Sequence, residues 1–139
     1  MKVSLDPRAK ELVLQNTGIL PQSNDPNLGA GGMSAMKKDD LAKLGLPVLY
    51  INGGPEDIAE PNAKDDFKRI NRVRVFLADH PGAGHAGLFL EPNGEATKIE
   101  LDELVWRLDG DQAAARTFVG SDCGLCRDFR WVVYRKGIN

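Results

Sequence analysis

Two ionisable side chains stand out by where they fall in the chain. Asp57 lies in NGGPEDIAEP, directly after the apolar run PVLYI, and His85 lies in GAGHAG, after VRVFLA. An aspartate that reaches one ring nitrogen of a histidine fixes its tautomer and leaves the other nitrogen as a general base. Glycines Gly53 and Gly54 precede the aspartate, and Gly84 and Gly87 bracket the histidine. Such small neighbours let backbone approach a substrate and leave an imidazole unobstructed. His80, in ADHPG, closes its strand instead, so His85 is the stronger candidate for a working base. Other carboxylates compete weakly. Glu56 and Glu60 flank Asp57 in the same loop, while Asp65 and Asp66 ride the next helix, where solvation is expected.

No nucleophile accompanies this pair. Ser34, in GGMSAM, has Gly32 two before it but Met36 two after it. The strand-to-helix elbow that exposes a catalytic serine needs small residues on both sides, as in G-x-S-x-G. No buried strand leads into Ser34 either, so it reads as a loop or capping residue. Cys123 and Cys126 form a C-x-x-C in CGLC. A structural disulfide or two free thiols is the reading expected, with a redox pair and half a zinc site as the alternatives. Zinc would need two more ligands, and His80 and His85 are the two imidazoles in the chain. No cofactor and no metal is expected.

The elements that must position Asp57 and His85 are an α/β pair. PVLYI is apolar throughout, as strands buried on both faces are. Pro61 suits the first turn of a helix, and NAKDDFKRI carries Phe67 and Ile70 inward. VRVFLA then makes a second strand. One helix and one strand separate the two loops, so the crossover rule makes the strands parallel neighbours. Their carboxyl ends, where open α/β sheets build sites, then lie side by side.

Around this centre, ELVLQNTGIL reads as a further buried strand bounded by Asn16 and Gly18, with Pro7 ending a helix tail before it. Residues 19–36 hold two prolines and three glycines and read as a long loop, a flap over a binding site being one use of it. Lys37 to Leu44 predicts a helix with Leu41 and Leu44 on one side and Gly45 as its terminator. Glu95 to Leu108 predicts an amphipathic helix packing Ile99, Leu101, Leu104, Val105 and Leu108 on the sheet, with Trp106 beside them. A short helix in DQAAARTFV follows. Residues 119–139 read as a C-terminal extension ending in the strand-like WVVY.

The bulk numbers exclude several classes. A chain of 139 residues fits one domain with a real core. Its formal net charge of −2 offers no footprint for nucleic acid or an anionic membrane. Its apolar runs are too short to span a bilayer, and the N-terminus lacks the apolar core of a signal peptide. Nothing here fixes a cellular location, although a disulfide would point weakly to an exported parent.

Strand, GGPEDIAEP, helix, strand, GHAG: this succession resembles the last third of an α/β-hydrolase of the serine esterase and dienelactone-hydrolase kind. In that family the triad runs serine, acid, histidine along the chain. The resemblance therefore implies that Asp57 is the triad acid and His85 the triad base. Over most of residues 1–139 the chain resembles the C-terminal half of that α/β fold, with parallel strands and crossover helices. Met1 to Pro7 is similar to the end of the helix behind the nucleophile, and RTFVGSDCGLC with WVVYRKGI to a group of bacterial and fungal members.

The nucleophile elbow of the family is absent from the sequence, and the order of the triad requires it upstream of Met1. Two functions are therefore expected. In one, the chain supplies the acid and base of a carboxylic-ester hydrolase whose serine lies outside it, with a small-molecule ester as substrate. In the other, it is a non-catalytic truncated homologue that binds a ligand or partner. A chain of this kind standing alone would also have an open sheet edge and a tendency to self-associate through it.

Overall fold

The computed structural model describes residues 8–19, 37–88, 90 and 94–138. The expected helix tail at 1–7, the loop from 20 to 36 and Ser34 lie outside these residues. A four-stranded mixed sheet forms the centre: β1 (Leu12–Gln15), β2 (Val48–Asn52), β3 (Val75–Asp79) and β4 (Val132–Lys136), side by side in that order. β1 and β2 run parallel, as do β2 and β3, whereas β4 runs antiparallel to β3. The fold is α/β. Its parallel pairing is interrupted at the β4 edge, so the expectation of parallel strands throughout holds for two of the three pairings.

The two central strands are buried at every position. Alternate residues point to opposite faces, and each face has its own cover. Val48, Tyr50, Val75 and Leu77 meet Leu41, Ala63 and Ile70 on one side, while Leu49, Ile51, Phe76 and Ala78 meet Ile99, Phe118 and Trp131 on the other. That double burial is why both strands read as continuous apolar runs.

Helix α1 (Glu60–Arg69) links β2 to β3, with Pro61 in its first turn as expected. Its inward face is Ala63, Asp66 and Ile70, and Phe67 is only partly buried. Asp66 is therefore not solvated, as the sequence had implied, but fully buried. It accepts hydrogen bonds from Ile19 N–H (2.7 Å), Lys38 Nζ (2.8 Å) and Tyr50 OH (3.3 Å). The helix expected over 37–44 is a 3₁₀ segment, Lys38–Lys43, with Leu44 in extended backbone after it, so the helix has stopped before Gly45.

After β3 come a single turn, α2 (Gly84–Gly87), and the long helix α3 (Glu95–Asp109). Here the expected packing is overturned. Ala96, Ile99 and Glu103 face inward, and Leu101, Leu104, Val105 and Leu108 are exposed. Interactions distant in sequence set the rotation of this helix. Glu103 is drawn inward by Arg74, and Trp106 stacks on Phe118 with centroids 5.8 Å apart.

The short helices α4 (Gln112–Ala115) and α5 (Gly124–Arg127) lead into β4. Cys123 and Cys126 are joined as a disulfide. Cys123 caps α5 through its sulfur, and with Leu125 and Trp131 it belongs to the core beneath α3.

Candidate active site

Asp57 sits where the chain leaves β2. After Asn52 the backbone turns through Gly53 and a 3₁₀ turn, Gly54–Glu56, which delivers Asp57 to the carboxyl end of the sheet, 1% exposed. Four donors surround its carboxylate. Asn16 Nδ2 (2.6 Å) and Gly53 N–H (3.1 Å) meet Oδ2, while Ala59 N–H (2.9 Å) meets Oδ1. The fourth contact is His85 Nδ1, 2.7 Å from Oδ1. Burial alone would push this carboxyl up. The hydrogen bonds from Ala59, His85, Gly53 and Asn16 outweigh it and hold the group below its ordinary value.

His85 reaches Asp57 because the two loops touch through backbone. Gly84 N–H donates to Gly53 O at 3.0 Å. A Cβ on Gly53 would lie 1.9 Å from Gly84 O, so only glycine permits this approach. Gly84 itself has φ +67°, a left-handed conformation that turns the chain just before the histidine. Glu56 adds a second tie by accepting from Gly82 N–H at 3.1 Å. The ring of His85 is half exposed, its side chain 49% accessible. Asp57 is ionised at neutral pH and can only accept, so Nδ1 carries the proton and Nε2 is the basic nitrogen.

The other candidates separate from this pair. His80 packs its ring edge-on against Trp131, centroids 4.9 Å apart, and its backbone N–H donates to Asn52 O at 2.8 Å. Glu60 opens α1 and pairs with Lys64. Asp79, the register partner of Asn52, is buried at the end of β3, and burial pushes its carboxyl up to about 6. The charges of Glu60 and Asp57 add to that rise, while Lys64, 3.5 Å away, opposes it. A cavity of about 450 Å³ under the histidine loop is lined by His80, Gly82, Ala83, Gly87, Leu88, Glu95 and Arg130. His85 is not part of its wall.

Sequence reasoning missed one residue of the site. Asn16 was read only as the boundary of a strand, yet it holds Asp57 and also donates to Gly84 O at 3.3 Å. It adopts φ 42° to do so. The available signal was positional: Asn16 follows β1 directly, the place where β2 and β3 are followed by the aspartate and histidine loops. Among the described residues His85 has no hydroxyl or thiol as a hydrogen-bond partner, and the one serine there, Ser121, lies in an exposed turn. Compared with known proteins, the chain matches no family model and no curated protein.

Proposed function

We propose that Asp57 and His85 are the acid and base of a Ser–Asp–His triad acting on carboxylic esters, with the serine supplied from outside this chain. The contact at 2.7 Å between His85 Nδ1 and a buried, fully hydrogen-bonded Asp57 carries this reading. In this role the carboxylate stabilises the imidazolium that forms when Nε2 takes the proton of an attacking hydroxyl. The proton then passes from Nε2 to the departing alkoxide. Water is activated in the same way to release the acyl group. Ile58 and Leu90 are 77% and 76% exposed and lie in the chain beside Asp57 and just beyond α2, where apolar parts of an ester have surface to meet.

The test begins with the reading frame upstream of Met1, over roughly a hundred codons, an ordinary domain length. The longest in-frame product is expressed and assayed on p-nitrophenyl esters. A strand followed by G-x-S-x-G and a helix is expected, with kcat falling about 10⁴-fold in Asp57→Asn and further in His85→Ala. Ester hydrolysis that survives His85→Ala would sink the triad. Upstream sequence without such an elbow would leave the second reading, a binding module that retains the pair without using it.

A further inference from the structure

The longest helix turns its most apolar stripe away from its own core. Leu101, Leu104, Val105 and Leu108 of α3 are 56%, 40%, 37% and 62% exposed. They recur at i, i+3, i+4 and i+7, so they form one stripe. At about 100° per residue, that stripe lies roughly 160° around the helix from the buried Ala96, Ile99 and Glu103. It points outward from the sheet rather than sideways along it. A further strand added to β1 would leave it bare, and what covers it must stack on α3 as another layer. The four side chains expose on the order of 350 Å² of apolar surface, within the size of the largest patch on an ordinary monomer, which is often functional.

We infer that α3 pairs face to face with α3 of a second copy of this chain, antiparallel about a two-fold axis between Leu104 and Val105. The stripe is self-complementary in that orientation. Leu101 stands opposite Leu108 of the second copy, and Leu104 opposite Val105. The charges on its rim agree. Lys98, whose side chain is 77% exposed, and the exposed Asp109 lie on the same flank at opposite ends of the stripe. Antiparallel two-fold packing brings Lys98 to within about two residues' rise, roughly 3 Å along the axis, of Asp109 of the second copy, twice over. A parallel pair would not join them. Among the described residues the competing ion partner of Lys98 is Asp102, at 3.8 Å. On the other flank Glu100 and Arg107 are tied to Gln15 and Glu11.

Ile19 and Lys38, on either side of residues 20–36 in the sequence, are both bonded to Asp66 on α1, across the sheet from α3. Glu11 pairs with Arg107 of α3, so residues 1–7, a few positions before it in the sequence, are the rival cover to test. With its rim the pair would bury on the order of 1,000 Å², enough for a reversible dimer and too little for a permanent one.

The test is sedimentation velocity on the 139-residue chain from about 1 to 500 μM, a range that spans such weak association. A concentration-dependent dimer is expected. Leu104→Lys should raise its Kd at least ~10-fold with an unchanged circular dichroism spectrum, because the side chain leaves the core untouched. Lys98→Asp should weaken it several-fold, and Lys98→Asp with Asp109→Lys should restore it. A chain that stays monomeric throughout overturns the inference, and a dimer that appears only when residues 1–7 are removed names that segment as the cover. A dimer that ignores Leu104→Lys but dissolves in Val132→Lys sits on the β4 edge instead. Failure of the double charge swap overturns the antiparallel register.

Discussion

Two buried carboxylates at opposite ends of the sheet have opposite electrostatic fates. Asp57, at the carboxyl end, is held below its ordinary pKa. Glu11, just before β1 at the amino end, has a side chain only 5% exposed, and its carboxyl is pushed up to about 8. Burial is the largest push on each. What differs is the company. Asp57 meets donors that carry no competing negative charge: two backbone N–H groups, an amide and an imidazole. Glu11 faces the carboxyl of Glu103, which raises it further, and the two share Arg74, while Arg107 lies 3.3 Å from Glu11. Arg74 also lies over the Trp106 ring, 4.3 Å from its centroid. One guanidinium set between two carboxylates ties the elements together but does not hold the Glu11 carboxyl in its ordinary range. A strand end that turns into a glycine loop offers free N–H groups, and there a carboxylate can be both buried and charged.

The strongest way to break the comparison is Asp57→Ala. It leaves Asn16 Nδ2 and the N–H groups of Gly53 and Ala59 without their acceptor in a buried place. A loss of about 3–5 kcal/mol in urea denaturation at pH 7 is expected, from several stranded donors at once. A loss under about 1 kcal/mol would mean that the cage does not depend on the carboxylate.

Glu11→Gln comes next and should act in the opposite direction. Since folding raises the Glu11 pKa from 4.5 to about 8, its contribution is complete below pH 4.5 and is lost as pH rises through about 8. The variant should lack this decline and be more stable than the parent at pH 8.5 by on the order of 2 kcal/mol, measured as parallel denaturation curves across pH. Identical pH profiles would show that Glu11 is ionised like any other glutamate.

The same contrast explains what the sequence could disclose. β2 and β3 were legible because burial on both faces forces an apolar run, and their spacing placed Asp57 and His85 in adjacent loops. The rotation of α3 was not. By periodicity Leu101, Leu104 and Leu108 are the better inward face, but Glu103 is claimed by Arg74, 29 residues away, which is itself paired with Glu11, 63 residues away. Asp66 was misplaced for the same reason, since its partners Lys38 and Ile19 come from distant chain. Asn16 was hidden because a polar residue after a strand looks like any turn residue. Local pattern reports burial well. It reports poorly which buried polar groups find each other.

The smallest expected effect is also the sharpest probe of how Asp57 keeps its charge. His85→Ala removes one of four donors, from a half-exposed ring. Asn16, Gly53 and Ala59 still face the carboxylate in the variant. The stability cost should be about 1 kcal/mol, that of one hydrogen bond to a charged group partly screened by water. In a ¹³C carboxyl titration Asp57 should move upward yet remain ionised at pH 7, since the loss of one donor leaves three in place. Its folded pKa is depressed, so the stability it contributes is present above 3.8 and fades as pH falls through the folded value. In the variant that fading should begin at higher pH. If Asp57 instead titrates near neutrality once the imidazole is gone, the histidine sets its charge and the backbone cage does not. The two ends of the sheet would then differ in the single partner each acid has, rather than in the loops that surround them.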